Sequence, residues 1–120
     1  MKLATLIIVF TTALTAFAQK SPTAYDVCTQ DESGAPTLKV NTQTGAYIFD
    51  DCDGIHLAGV GRVSQYPSSI VFQFQNGDFK GLFTFIPWNR TTSGSVRNRA
   101  TGQVERLTDH NYGKRACGCS

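Results

Sequence analysis

The stretch at residues 57–88, LAGVGRVSQYPSSIVFQFQNGDFKGLFTFIPW, constrains the chain most, because it gathers Ile70, Val71, Phe72, Phe74, Phe79, Leu82, Phe83, Phe85, Ile86 and Trp88 in one place. Two β-type runs, 70–75 and 79–86, flank Asn76-Gly77-Asp78. Asn-Gly between alternating apolar residues is the strongest short-range hairpin signal, since the turn that suits strand twist needs positive φ. A chain of this size buries a single core. Most of that core belongs to this hairpin.

The first residues and the cysteines predict an exported protein. Residues 1–18, MKLATLIIVFTTALTAFA, combine Lys2, an apolar run and Ala16-Phe17-Ala18. That is the pattern of a secretory signal peptide cleaved after Ala18, leaving residues 19–120 as one secreted, monomeric domain. The apolar run is interrupted by threonines and falls short of the ~20 apolar residues a membrane span needs, so no membrane association is expected. Cys28, Cys52, Cys117 and Cys119 all follow the signal. An even count in a small exported chain predicts two disulfides, with three possible connectivities. Cys117 and Cys119 are too close to pair easily with each other, so each should reach back, one to Cys28 and one to Cys52. Either pairing ties the C-terminus to the first third and contributes roughly 3–4 kcal/mol per bridge. No C-x-x-C pair or histidine stands at ligand spacing, and neither metal nor cofactor is expected. The acidic turn Asp50-Asp51-Cys52-Asp53-Gly54 lacks the spacing of a calcium loop and reads as solvated.

Charge is unevenly spread. Residues 19–87 hold four bases (Lys20, Lys39, Arg62, Lys80) against seven acids, whereas 88–120 hold six (Arg90, Arg97, Arg99, Arg106, Lys114, Arg115) against Glu105 and Asp109. The basic C-terminal third can form an anion-facing patch.

Further short strands are expected at 37–40, 46–49, 55–63 (broken by Gly59 and Gly61), 95–100 and 103–107. Residues 89–94 read as a polar loop and 108–113 as a turn. No window carries helical periodicity with a cap; a short helix has room only at 25–32 or 64–69. The expected fold is α+β, predominantly β: a small disulfide-tied antiparallel sheet with at most one short helix. Asn89-Arg90-Thr91 is an N-x-[ST] sequon, which makes Asn89 a glycosylation candidate, and Lys114-Arg115 is a dibasic pair read as plain surface charge.

Two histidines are present, His56 and His110. A histidine with a second histidine or a glutamate is the minimal acid–base apparatus for cleaving RNA through its own 2′-hydroxyl, with a cation to steady the phosphorane. By strand alternation His56 points away from Ile55 and Leu57. His110, beside Thr108-Asp109 and near arginines, is the better candidate for a general acid.

Arg97-Asn98-Arg99-Ala100-Thr101-Gly102, then Arg106-Leu107-Thr108-Asp109-His110-Asn111-Tyr112 and Cys117, resembles the C-terminal part of the small secreted microbial ribonucleases of the guanyl-specific type. There an arginine-bearing strand leads to a histidine turn and a terminal cysteine. The resemblance implies a microbial-ribonuclease-like sheet, His110 as general acid and Arg97 or Arg99 as phosphate ligands. Tyr66-Pro67 is similar to that family's Y-P-H-K-Y segment, and Phe83-Thr84-Phe85-Ile86-Pro87 to its Y-Y-E-W-P strand. Ser68 or Ser69 stands where a histidine belongs, Leu82 or Phe85 replaces the catalytic glutamate, and Arg97 and His110 are spaced a couple of residues short.

That loss looks like the RNase-like effectors secreted by plant-pathogenic fungi of the powdery-mildew type, which keep the scaffold without its catalytic set. Tyr25-Asp26-Val27-Cys28 and Gly59-Val60-Gly61-Arg62-Val63-Ser64-Gln65-Tyr66-Pro67 resemble segments of that group, although four cysteines replace its usual two. The resemblance implies a non-catalytic virulence effector. It would bind a host protein, an immune receptor for example, or RNA through Arg97, Arg99, Arg106 and Tyr112, outside host cells or translocated into them. An active endoribonuclease using His110 and a small disulfide-rich toxin are the alternatives. The modest charge and the lack of a basic amphipathic helix count against the toxin.

Overall fold

The computed structural model describes residues 25–113 and 118–119, so the signal sequence, Lys114-Arg115 and Cys117 lie outside the described residues. Among the described residues there are nine strands and no helix: β1 (Val27–Gln30), β2 (Thr37–Val40), β3 (Ala46–Asp50), β4 (His56–Val60), β5 (Arg62–Gln65), β6 (Ile70–Asn76), β7 (Phe79–Ile86), β8 (Thr91–Asn98) and β9 (Val104–Asp109). The described fold is therefore antiparallel β without the helix that α+β allowed. Segment 25–32 forms β1, where Val27 and Thr29 turn inward and alternate with half-buried Cys28 and Gln30. Segment 64–69 holds the end of β5 and the turn after it.

The strands form two sheets, β1-β2-β3-β4 and β5-β6-β7-β8-β9, in which each strand lies beside its sequence neighbours. Period-2 alternation gives each sheet one apolar face. In the first, Val27, Val40 and Tyr47 form one row and Thr29, Leu38, Phe49 and Leu57 the next. In the second, Phe72, Phe83, Gly94 and Leu107 stand in register, flanked by the row Ile70, Phe85, Thr92 and Asp109. These inner faces share one core, with Phe72, Phe83, Phe85, Leu38 and Leu107 fully buried. Tyr47 stacks on Phe74 at 4.3 Å between ring centroids and bridges the two sheets. Gly81 lies opposite Phe74, and a Cβ there would stand 2.1 Å from the Phe74 ring, so the absence of a side chain makes the space the ring occupies.

The expected hairpin is present, with its first strand one residue longer: Asn76 pairs with Phe79, so Gly77-Asp78 alone make the turn, and Gly77 takes φ 59°. Asn76 is freed to donate its side-chain amide to the Tyr47 hydroxyl (3.3 Å) and the Ala58 carbonyl (3.2 Å). Other local expectations are corrected. The run 55–63 breaks at Gly61 alone. There the chain leaves one sheet for the other, and a Cβ would meet the Gln73 carbonyl at 2.4 Å and the Phe72 ring at 2.7 Å. Residues 91–94, expected in a loop, belong to β8, and β9 runs on through Thr108 and Asp109. The inward polar residues that disguised these strands are satisfied by one another. Asp109 Oδ2 accepts from the Thr29 hydroxyl (2.9 Å) and the Gln30 N–H (3.1 Å), Asp109 Oδ1 accepts from the Asn111 N–H (2.9 Å), and the Thr29 and Thr92 hydroxyls are bonded at 2.9 Å.

Cys52 pairs with Cys119, which selects one of the two arrangements in which the terminal cysteines reach back, and Cys28 is also disulfide-bonded. No helix among the described residues is long and apolar enough to cross a membrane.

Sidedness gives a direct test. Phe83→Ala should lower unfolding free energy by about 3–5 kcal/mol, whereas Leu82→Ala, one residue away on the other face, should change it by under about 0.5 kcal/mol in urea denaturation. Asp109→Ala strands the Thr29 and Gln30 donors and should cost about 2–4 kcal/mol by the same measurement.

Candidate anion-binding face

Alternation that sends phenylalanines inward sends cations outward. On the outer face of the five-stranded sheet, Arg62, Gln73, Leu82, Ser95 and Arg106 lie in one cross-strand register. The neighbouring row is Gln75, Lys80, Arg97 and Val104. Lys80, Leu82, Ser95, Arg97 and Arg99 line a groove of about 480 Å³, and a second groove of about 410 Å³ continues it past Gln73 and Gln75 to Arg62. With strands ~4.8 Å apart, the row from Arg62 to Arg106 spans about 19 Å.

Five cations thus share a face whose rows carry no Asp or Glu. The ion pairs among the described residues are His56 with Asp50 and His110 with Glu32, so none of the five is neutralised by an acid there. At its centre Leu82 is 54% exposed. Acids gather elsewhere: burial, then the charges of Asp51 and Asp53, push the Glu105 carboxyl above its ordinary value, on the side away from the arginines.

Of the residues predicted to bind phosphate or a partner, Arg97, Arg99 and Arg106 come together here. Tyr112 does not. It is buried, meets Phe85 edge-on at 6.2 Å between centroids, and burial raises its hydroxyl pKa. Sequence reasoning passed over Lys80 and Arg62 for this role, although their alternation with inward Gly81 and Val63 was a usable signal.

His110 also stands apart. Asp109 pairs with Thr92 and Val104 with Arg97, which puts His110 six residues along the strand from the Arg97 row, roughly 20 Å. Its Nδ1 is 2.6 Å from Glu32 Oε2. That hydrogen bond, and next the Glu32 charge, raise the imidazole pKa. The contact occupies Nδ1 and leaves Nε2 facing solvent, on an exposed side chain remote from the Arg97 row. The same loop is fixed to β9 by Asp31, whose Oδ1 accepts from the Thr108 N–H at 2.7 Å. Burial works against ionisation of Asp31, but hydrogen bonds from Ser33 and Thr108 outweigh it and hold its pKa below the ordinary value.

The remaining candidates are structural or solvent-facing. His56 points outward, as alternation required, and lies 3.0 Å from Asp50, whose carboxyl it holds below the usual range with help from the Cys52 N–H. Asp51 Oδ1 accepts from the Asp53 and Ile55 N–H groups, so this carboxylate is engaged by the backbone of its own turn. Asp50 and the sulfurs of Cys52 and Cys119 lie within 4.8 Å of one another, but the sulfurs are bonded to each other and offer no thiolate. Asn89 is exposed at the entry to β8, with its Oδ1 accepting from the Thr91 hydroxyl at 2.5 Å. Leu82 projects outward and Phe85 inward, so neither position carries a carboxylate toward the grooves.

A histidine titration tests the Glu32 contact. A raised folded pKa means that protonated His110 contributes to stability at low pH, and that this contribution is lost as pH rises through the raised value. NMR should find His110 titrating above an ordinary histidine, with Glu32→Gln bringing it back; equal values in the two proteins would refute the contact. Compared with known proteins, the chain matches no family model, no curated protein and no solved structure.

Proposed function

We propose that the protein is a secreted, non-catalytic binding protein that holds RNA on the outer face of its five-stranded sheet. The observation that carries this reading is the convergence of Arg62, Lys80, Arg97 and Arg106 on two rows without an acid, with Arg99 lining the same groove from the turn after β8. Phosphate contacts of this kind supply most of the affinity for a nucleic-acid strand and are largely independent of sequence. Gln73, Gln75 and Ser95 stand between the cations as hydrogen-bonding groups, and arginine guanidinium planes are surfaces on which unpaired bases stack. The motif resemblance to RNase-like effectors agrees with an RNA-directed role in a host. So does the lack of a carboxylate at Leu82 and Phe85. Catalysis is not part of this reading because Leu82 and Phe85 stand where the resemblance puts a carboxylate, and His110 lies roughly 20 Å along the strand from the Arg97 row.

Binding of a fluorescent single-stranded RNA should weaken with salt. The slope of log K against log salt should be about −3 for four or five phosphate contacts, at about −0.7 per contact. Arg97→Ala should reduce that slope by about 0.7. No binding at low salt would sink the proposal, and capture of an acidic host protein by the same arginines in its place would convert it to a protein-binding reading. The RNA should remain intact. Cleavage that disappears in His110→Ala would restore the active-ribonuclease alternative.

A further inference from the structure

The geometry points to a second ligand site, independent of the basic face: a cleft for a neutral sugar between Tyr66 and Trp88. It lies at the end of the sheet remote from the β6–β7 turn, where the β5–β6 connection meets the residues after β7, and encloses about 330 Å³. Ile86, at that end of β7, is six residues from Lys80, about 20 Å along the strand. Trp88 is 79% exposed and Tyr66 57%, and they are the two aromatics among the exposed large apolar residues of the described chain. Both line this one cleft.

Three features match a pyranose. Its walls are preset: Pro67 follows Tyr66 and Pro87 precedes Trp88, fixing φ beside each ring, and the Tyr66 N–H bonds the Ser69 carbonyl at 2.9 Å to close the turn. The lining contains no charged residue, which separates it from the phosphate chemistry of the basic face. Its polar groups are uncommitted: among the described residues, no hydrogen bond occupies the side chains of Gln65, Tyr66, Ser68 or Ser69. A sugar ring lays its C–H face on an aromatic face, whose quadrupole is negative, and offers hydroxyls around its edge. Those hydroxyls both donate and accept, as the amide of Gln65 and the hydroxyls of the serines do. A proline-rich peptide would use the aromatic walls but could meet the polar groups only with its carbonyls. A volume near 330 Å³ is at the small end of ligand pockets and suits a short oligosaccharide.

Trp88 is the chain's one tryptophan, so its fluorescence reports on this cleft without labelling. The purified protein is titrated separately with trisaccharides of β-1,4-linked glucose, β-1,4-linked N-acetylglucosamine and mannose. At least one should give a saturable blue shift and protection from acrylamide quenching, with Kd of about 1 mM or tighter. Tyr66→Ala, and separately the double change Ser68→Ala with Ser69→Ala, should weaken that binding at least tenfold. Arg97→Ala should leave it unchanged. Each variant is checked for an unaltered unfolding midpoint, which exposed Tyr66 and Ser68 and half-buried Ser69 should retain. No saturable shift from any of the three sugars up to about 10 mM overturns the proposal, as does undiminished binding in Tyr66→Ala. A shift produced only by a proline-rich peptide overturns it too, and would make the cleft a peptide groove.

Discussion

The aromatic inner face of β6 and β7 has to be covered, and the rest of the molecule follows from how that is done. Phe72, Phe74, Phe83 and Phe85 project to one side of a hairpin, too much apolar surface for a single sheet to leave in water. The first four strands supply the cover with Leu38, Val40, Tyr47 and Phe49. Because side chains alternate with a period of two, the register that buries these rings also fixes what the solvent sees. Lys80, Leu82, Arg97 and Arg106 are outward because Phe83, Val96 and Leu107 are inward. A slip of one residue would exchange the two sets, so core and candidate site are specified together.

Polar closure completes what the rings begin. Thr29, Thr92 and Asp109 come from the first, eighth and ninth strands and satisfy one another within the core. Asn76 reaches from the central hairpin to Tyr47 and Ala58 of the opposite sheet. These contacts are directional where packing of rings is not, and they fix how one sheet sits on the other. The Thr108-Asp109-His110 segment therefore has an architectural meaning: Asp109 joins the sheets, and the residues beside it hold the Asp31–Glu32 loop.

Legibility in the sequence followed sidedness. The central hairpin, β2 and the body of β3 were readable because apolar and polar residues alternate cleanly and turn residues bound them. Among the site residues, Arg97, Arg99 and Arg106 were found through local charge density. Lys80 and Arg62 were missed because each is a lone cation in an otherwise neutral or acidic stretch, and only cross-strand register brings them to the others. β1 and the first half of β8 were hidden for another reason. Their inward residues include Thr29 and Thr92, whose hydroxyls look like loop chemistry until their partner, Asp109, is placed 80 residues from one and 17 from the other. Tyr112 misled in the opposite sense: a tyrosine among polar and basic residues reads as a surface group, yet its ring completes the core against Phe85.

The strand order has a consequence for how the chain reaches this state. Each sheet is a simple meander, so every strand pair is made between segments adjacent in sequence, and little loop-closure entropy opposes pairing. Among the described residues, the polar ties that span the chain join the β1 region to the end of β9, through Thr29 and Gln30 to Asp109, Asp31 to Thr108 and Glu32 to His110, and the bridge from Cys52 to Cys119 adds a covalent one. The topology thus divides the chain into two local meanders joined at Gly61, packed on each other through one shared core. Ties formed after the rate-limiting step act on the rate of escape from the native state rather than the rate of arrival. Where the long-range ties form after that step they set the lifetime of the folded state, while the meanders set the speed of assembly.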